Sequence, residues 1–329
     1  MKAVVITGPG GPEKLAFLDV PEPSAGPEEV RVRVRASAMN RADLLQRRGL
    51  YPAPAGEPAD IPGLEFAGEV ESCGERVRTL RPGDRVMGIV GGGGHAEKVV
   101  LHERLCLEVP PCLSWSEAAA VPEAFLTAFD ALLDRGRLIP GESLLIHAAG
   151  SGVGTAALQL GLVSGARVVA LSRSEDKRRR LQGMGAGTVL DPSHPQIAQE
   201  LQIAAGPQGI DVVLDSIGAA AWELNMSVLA ELGRIVIVGL LGGTRTEVHL
   251  GQLLARRASV VGTVLRTRPL EQRMDLVQRF AKQMLPLLAE GRLRAVVDSE
   301  LPLHDAAEAH RRMENNANFG KIVLTVGSP

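Results

Sequence analysis

Aromatic side chains are scarce in this 329-residue chain: one Tyr, two Trp and six Phe, 3% of the residues. Proteins that hold single-stranded nucleic acid stack bases on such rings. A formal net charge of −2 removes the electrostatic attraction to phosphate as well, so no nucleic-acid partner is expected. Cysteine is rarer still. Cys73, Cys106 and Cys112 are odd in number and follow no paired spacing, which argues against a disulfide framework and for a reducing, cytoplasmic compartment. No apolar run is long enough to span a bilayer, and Met1-Lys-Ala-Val-Val-Ile6 reads directly as a strand, not as a signal peptide. No membrane partner is expected. What remains is ordinary for a globular chain, 45% hydrophobic and 22% charged, with enough residues for two domains that each bury a core.

The chain is organised around Ser143–Leu160. Ser143 to Ala148 is a short apolar run that predicts a buried strand, and Gly150, Gly152 and Gly154 crowd the turn after it. Thr155 to Ser164 predicts a helix whose Ala156, Leu158 and Leu162 can lie close to a sheet. A helix that starts at such a turn aims free N–H groups and a positive dipole end at it. Glycines let a pyrophosphate approach the backbone, so Gly150, Ser151, Gly152, Val153 and Gly154 are candidate phosphate contacts. The spacing is Gly-x-Gly-x-Gly, not Gly-x-Gly-x-x-Gly, and a purely packing turn is the alternative. A second apolar run, Arg167–Leu171, completes a strand–helix–strand unit. It ends in Ser172-Arg173-Ser174, with Lys177 and Arg178 beyond, where an NAD site carries Asp or Glu for the ribose hydroxyls. Hydroxyls and cations suit a 2′-phosphate and hence NADP(H), with charge-assisted bonds of roughly 1.5–3 kcal/mol each. Ser172, Arg173 and Lys177 are the candidates. Arg179 and Arg180 read as solvated helix residues.

Residues 1 to about 120 look β-rich. Lys2–Ile6, Glu29–Arg35, Ile61–Val70, the stretch after Arg81 and His95–Leu101 predict strands between Pro/Gly turns, and Ala38–Gly49 predicts a short helix. This is the pattern of a barrel-like β domain. From Ser114 the spacing becomes helical, at 116–121 and 124–133. Strands at 188–191, 211–215, 234–238 and 259–264 then alternate with helices at 195–205 and 220–229, which predicts a doubly wound parallel sheet. A long helix follows Pro269, and strands at 294–301 and 321–326 flank a short helix near 304–314.

Several motifs then line up in order: Ala38-Met-Asn-Arg-Ala-Asp43, Tyr51-Pro52, Ile61–Gly68, Pro122–Phe129, His147–Gly154, Leu214–Gly218, Leu265–Arg268 and Gly320–Leu324. In this spacing the chain resembles the medium-chain dehydrogenase/reductase superfamily, in its zinc-free quinone oxidoreductase branch and nearest the p53-inducible quinone oxidoreductase type. The resemblance implies an α/β protein: a GroES-like, β-rich catalytic domain over 1–123, completed by 265–329, and a Rossmann NADP(H)-binding domain over 124–264. It also implies a cleft between the domains and a homodimer built through the cofactor-domain sheet edges.

Zinc dehydrogenases of the superfamily carry Cys where this chain has Asn40, and Gly-His-Glu where it has Gly63-Leu64-Glu65. With those ligands missing, and the four-cysteine zinc lobe absent, no zinc is expected. His95 and His102 are expected to be ordinary surface or strand histidines. Without a Lewis acid the acceptor must be electrophilic in itself, so hydride from NADPH is expected to reach quinones, with 2-alkenals or enones as the alternative substrates. A non-catalytic NADPH-binding protein is the alternative outside enzymes. Asn40 and Tyr51 are the candidate catalytic groups, with Tyr51 either a donor or a wall packed on Pro52 and Pro54. Glu65 is an orienting residue, and Asp43 caps or braces its helix. By resemblance the cofactor also meets Thr127, Ser216, Gly218, Val238, Gly239, Leu240, Phe319 and Lys321, with Asn318 beside them. Arg266 and Arg268 touch phosphate or brace a dimer.

Overall fold

Period-two hydrophobicity shapes the first hundred residues. The computed structural model describes residues 1–327, so the last two residues of the expected C-terminal return lie outside the described residues. Strands β1 (Lys2–Ile6) and β2 (Leu15–Asp19) pair antiparallel. In β3 (Glu29–Ala38), Val30, Val32 and Val34 are buried. The arginines between them turn outward and pair with carboxylates, Arg31 and Arg33 with Glu71 and Arg35 with Glu69. This is the alternation of a sheet covered on one face. Helix α1 (Arg41–Arg47) is followed by β4 (Glu65–Cys73), β5 (Arg85–Ile89), β6 (Lys98–His102) and β7 (Cys106–Glu108). Helix α2 (Trp115–Ala119) starts at a reciprocal Ser114–Glu117 cap, and α3 (Pro122–Phe129) comes next.

Two of these strands start later than the hydrophobic pattern indicates. β4 begins at Glu65, not Ile61, because Pro62 lacks a donor and Gly63 takes φ +102°. β6 begins at Lys98, not His95; before it, Ala96 makes an isolated bridge to Ala3.

After α3 the chain makes a π-helical stretch, Asp130–Arg135, and then alternates. In order come β8 (Ser143–Ile146), α4 (Gly152–Val163), β9 (Arg167–Leu171), α5 (Glu175–Gly183), β10 (Thr188–Leu190), α6 (Ile197–Ala205), β11 (Ile210–Asp215), α7 (Trp222–Val228), β12 (Leu229–Ile237), α8 (Leu250–Arg256) and β13 (Ser259–Gly262). The six strands are all parallel, in the order β10-β9-β8-β11-β12-β13. Leu145, Val169, Val213 and Ile235 from four of them pack with Leu201, Trp222 and Met226 of α6 and α7. The apolar runs of these strands are buried on both faces, which is why they read as continuous, not alternating. Helix α8 escapes the pattern because Leu250 and Leu254 point to solvent.

The last part is α9 (Leu270–Ala289), β14 (Val297–Pro302), α10 (Ala306–Glu314) and β15 (Lys321–Thr325). β15 pairs parallel with β14 and antiparallel with β3, so the chain's end completes the sheet β14-β15-β3-β4-β5-β7, with β6 also on β3. Ile322 and Leu324 join Val4, Met39, Leu44 and Leu301 in one core. The molecule accordingly divides into two units, Met1–Leu126 with the chain from Leu265 onward, and Thr127–Val264. Among the described residues no helix is long and apolar enough to cross a membrane.

Candidate functional site

In the parallel-sheet unit, neighbours β8 and β11 mark the point where strand order reverses. Ligands of doubly wound sheets bind beyond the C-terminal strand ends at such a point. The turn after β8 is tightly built. Ala148 takes φ +47°, and Ser151 caps α4 by accepting the Gly154 N–H on Oγ at 3.0 Å. A Cβ at Gly154 would lie 2.6 Å from Cα and O of Ala149, so the helix can approach the turn only with glycine there. The cap uses the Gly154 amide, and the first-turn amides of Gly152 and Val153 have no acceptor within the helix.

The turn after β11 is held by a buried relay. Asp215 Oδ1 accepts the N–H groups of Ile217 and Gly218 at 2.7 and 2.9 Å, and its Oδ2 accepts from Asn225 Nδ2 at 3.0 Å. Asn225 Oδ1 in turn lies 2.6 Å from His147 Nε2. Burial depresses the basicity of His147, while Asp215 and Asn225 act the other way. The ring therefore stays neutral and donates from Nε2. Gly218 takes φ +78°, with Gly243 O 2.7 Å from where a Cβ would sit. Val238 N donates to Asp215 O and Leu241 N to Ser216 O, which ties the turns after β11 and β12 together. Ser216 Oγ is buried with no hydrogen-bond partner among the described residues.

Beyond β9, Ser172 is buried and Arg173 exposed. Ser174 caps α5 through the Lys177 N–H. Arg178 is a latch: its Nη1 donates to Ser172 O, Arg173 O and Asp191 Oδ2. Arg179 pairs with Asp176 at the surface. Lys177 is half-buried in the first turn of α5. The sheet order thus brings four expected segments, 150–154, 172–177, 216–218 and 238–240, to the C-terminal ends of the adjacent strands β8, β9, β11 and β12. The glycine cradle, the orphaned Ser216 hydroxyl and the free first-turn amides fit a dinucleotide. Thr127 sits half-buried on α3.

Phe319 and Lys321 belong to the β-rich unit. Phe319 is buried, and its N–H donates to Asp298 Oδ1. Asn318 Nδ2 donates to Gly320 O. Lys321 lies at the centre of a polar cluster. Its Nζ donates to Met39 O and Asn40 Oδ1, both at 2.6 Å, and meets Glu65 Oε1 at 2.6 Å, with Glu65 fully buried. Asn40 Nδ2 donates to Ala38 O and to Glu65 Oε1, so Asn40 has no spare N–H for a ligand, only a lone pair on Oδ1. Glu65 Oε2 accepts the Glu123 N–H at 2.7 Å. Asp43 both caps and braces: Oδ2 accepts from Asn40 N and Oδ1 from Gly63 N. Burial alone would push the Asp43 carboxyl up, but the hydrogen bonds and charges around it, His95 first, win and hold it below the usual carboxylate range.

Two expectations are corrected here. His95 is no surface or ordinary strand histidine: it is fully buried, with Nδ1 2.8 Å from Ser37 Oγ and Nε2 3.6 Å from Asp43. Arg266, expected to touch phosphate or brace a dimer, turns inward. Its guanidinium is buried in the β-rich unit, donating to Gly91 O, Tyr51 O and Gln46 Oε1. Arg266 Cζ also lies 5.0 Å from the Tyr51 ring centroid, so the tyrosine is held by a cation–π contact. Burial raises the Tyr51 phenol above its usual value, as does the nearby Glu123, and Arg266 partly opposes them. Glu123 lies in the Pro122–Phe129 motif, but nothing in the sequence singles it out within that motif. Its main-chain N–H on Glu65 Oε2 is what brings it beside Glu65.

Zn²⁺ would require about three protein donors with free lone pairs. Here the ammonium of Lys321 already occupies the oxygens of Asn40 and Glu65. Among the described residues no group of three or more His, Cys, Asp or Glu side chains is arranged to hold a metal ion.

Comparisons agree with this geometry. Residues 26–111 match the alcohol dehydrogenase GroES-like domain and residues 152–283 the zinc-binding dehydrogenase family. A quinone oxidoreductase of Pseudomonas aeruginosa is 33% identical over 98% of this chain and 99% of its own. The synaptic vesicle membrane protein VAT-1 homolog of Rattus norvegicus is 32% identical over 99% of this chain and 84% of its own. A crystal structure of an NAD-dependent alcohol dehydrogenase superposes with a TM-score of 0.88 at 36% identity, covering 99% of this chain and all of that one. With its GroES-like unit and its parallel nucleotide-binding sheet, the chain belongs to the medium-chain dehydrogenase/reductase superfamily, as an oxidoreductase that uses a nicotinamide dinucleotide and is related over its whole length to quinone oxidoreductases.

Proposed function

We propose that the protein is an NADPH-dependent quinone oxidoreductase that works without zinc. The observation that carries this reading is Lys321, whose ammonium is fixed between Asn40 and Glu65. A cation covalently part of the chain takes the place that a Lewis acid would need. A carbonyl acceptor then cannot be polarised by a metal and must accept electrons readily itself, as quinones do. Bound NADPH supplies the hydride. The chain's own residues do the rest. The Gly150–Gly154 turn and the start of α4 bind the pyrophosphate, and the backbone of Gly218 and Gly239 shapes the nucleotide's bed. Ser172 and Arg173, standing at the end of β9 where an NAD site carries a carboxylate, favour a 2′-phosphate. Tyr51, clamped by Arg266, forms a rigid wall for a planar acceptor.

The test is oxidation of NADPH by the purified protein against ortho-quinones, para-quinones and 2-alkenals, with NADH as control and metal content measured alongside. Rapid turnover of quinones with NADPH by metal-free protein is the expected result. Turnover confined to alkenals, or tight binding of NADPH with no turnover, would overturn the quinone assignment.

A further inference from the structure

The polar cluster of the β-rich unit sets Glu65 and Glu123 beside one ammonium, that of Lys321. Lys321 is matched to Glu65, and Glu123 has no ion pair of its own among the described residues. Its Oε2 is buried without a hydrogen-bond partner among the described residues. Its main-chain N–H is spent on Glu65 Oε2, so the two acids are immediate neighbours. The charged and titratable groups around it come from every packed element: Glu65 on β4, Asp43 on α1, Lys321 on β15, Arg266 on the segment before α9, and Tyr51 on its loop. The position of Glu123 in the first turn of α3 would favour ionisation through the helix dipole. Burial and the like charges of Glu65 and Asp43 outweigh that, and outweigh Lys321 and Arg266, pushing the carboxyl up to about 8. A carboxyl that keeps its proton is a donor, and the Oε2 of this one has no hydrogen-bond partner among the described residues.

We propose that Glu123 is the proton donor to the acceptor oxygen in the reaction assigned above, an inference that rests on that assignment. The acceptor gains an electron pair and a hydrogen from NADPH, which leaves as NADP⁺, and negative charge develops on the acceptor oxygen. The O–H bond of the Glu123 carboxyl breaks as a new O–H bond forms on that oxygen. Glu123 is left as a carboxylate and regains its proton from water. Tyr51 is the rival donor, but its phenol lies above its already weakly acidic value. A donor works best when its acidity constant lies near the operating pH, and Glu123 meets that condition where Tyr51 does not.

The experiment compares wild type with Glu123→Gln, which keeps the shape and loses the acid, and Glu123→Asp, which keeps the acid. Turnover of 1,4-naphthoquinone by the wild type should fall as pH rises through about 8. In Glu123→Gln, turnover at neutral pH should drop about 10²-fold and the alkaline fall should vanish. Glu123→Asp should restore part of both. NADPH affinity, read by fluorescence titration, should stay within about twofold. Infrared difference spectra, which need no turnover, should show a protonated carboxyl at neutral pH that Glu123→Gln lacks. Undiminished turnover with the same alkaline fall in Glu123→Gln, or a carboxyl already ionised at neutral pH, overturns the donor role and leaves the quinone assignment standing. A wild type that binds NADPH, shows the protonated carboxyl and reduces no acceptor overturns the assignment and the role together.

Discussion

The two units handle charge in opposite ways. In the parallel-sheet unit, the segments assigned to the nucleotide work mainly through the main chain: the Gly154 approach, the Ser151 cap and the stitched turns after β11 and β12. In the β-rich unit, the side chains of Asn40 and Glu65 meet at the buried ammonium of Lys321, and Glu123 adjoins them through its main-chain N–H on Glu65. A main-chain site is written in a few consecutive residues and tolerates changes at its rim. A side-chain cluster taken out of water fails when any one member is removed, because the remaining charges cannot be resolvated.

The largest effect is expected from Lys321→Met. It strips a fully buried Glu65 of its cation and Asn40 of a donor, and should cost about 3–5 kcal/mol of stability in chemical denaturation. A cost well under that would mean that water reaches the cluster. The counterpart in the parallel-sheet unit is Gly154→Val. Its Cβ would press on the backbone of Ala149, so we expect a loss of about 1–3 kcal/mol, with the nucleotide's affinity, measured by fluorescence titration, falling at least as steeply.

Acid tests the β-rich unit again. His310 is buried, with Nδ1 accepting from Arg47 Nη1 at 3.0 Å, and burial pushes its basicity down to about 3. Unfolded, it protonates near 6.5. Between those values the unfolded chain binds the extra proton, so stability is present at neutral pH and is lost as pH falls from about 6.5 toward 3. At pH 5 the loss should be about 2 kcal/mol, and His310→Asn should flatten the dependence of Tm on pH. The smallest effect is expected at an exposed position. Arg173→Ala should weaken NADPH about tenfold and leave NADH unchanged, less so at high salt. Equal weakening of both would remove the 2′-phosphate assignment.

The same contrast explains what could be read from the chain. β8, its glycine turn and β9 lie within thirty residues, and their apolar runs and glycines announce the parallel sheet directly. α8 stays hidden because its leucines face solvent, and β4 starts late because Pro62 and Gly63 turn the chain first. In the β-rich unit Asn40 and Tyr51 could be singled out by motif, but the chemistry around them could not. Lys321 meets Asn40 across 281 positions, Arg266 reaches Tyr51 across 215, and Glu123 looks like any acid opening a helix. Such meetings are set by strand order, which no local pattern encodes.

The return of β15 to β3 also sets a timetable for synthesis. Domains fold as the chain emerges, and everything the parallel-sheet unit needs has emerged by Val264. The edge of β3 that β15 will cover, and the Glu65 carboxylate that Lys321 will neutralise, are made long before their partners. A nascent chain can therefore hold its nucleotide fold while its other half is still an open sheet with an unmatched acid at its centre. The polar cluster around Lys321 is complete only once β15 is in place.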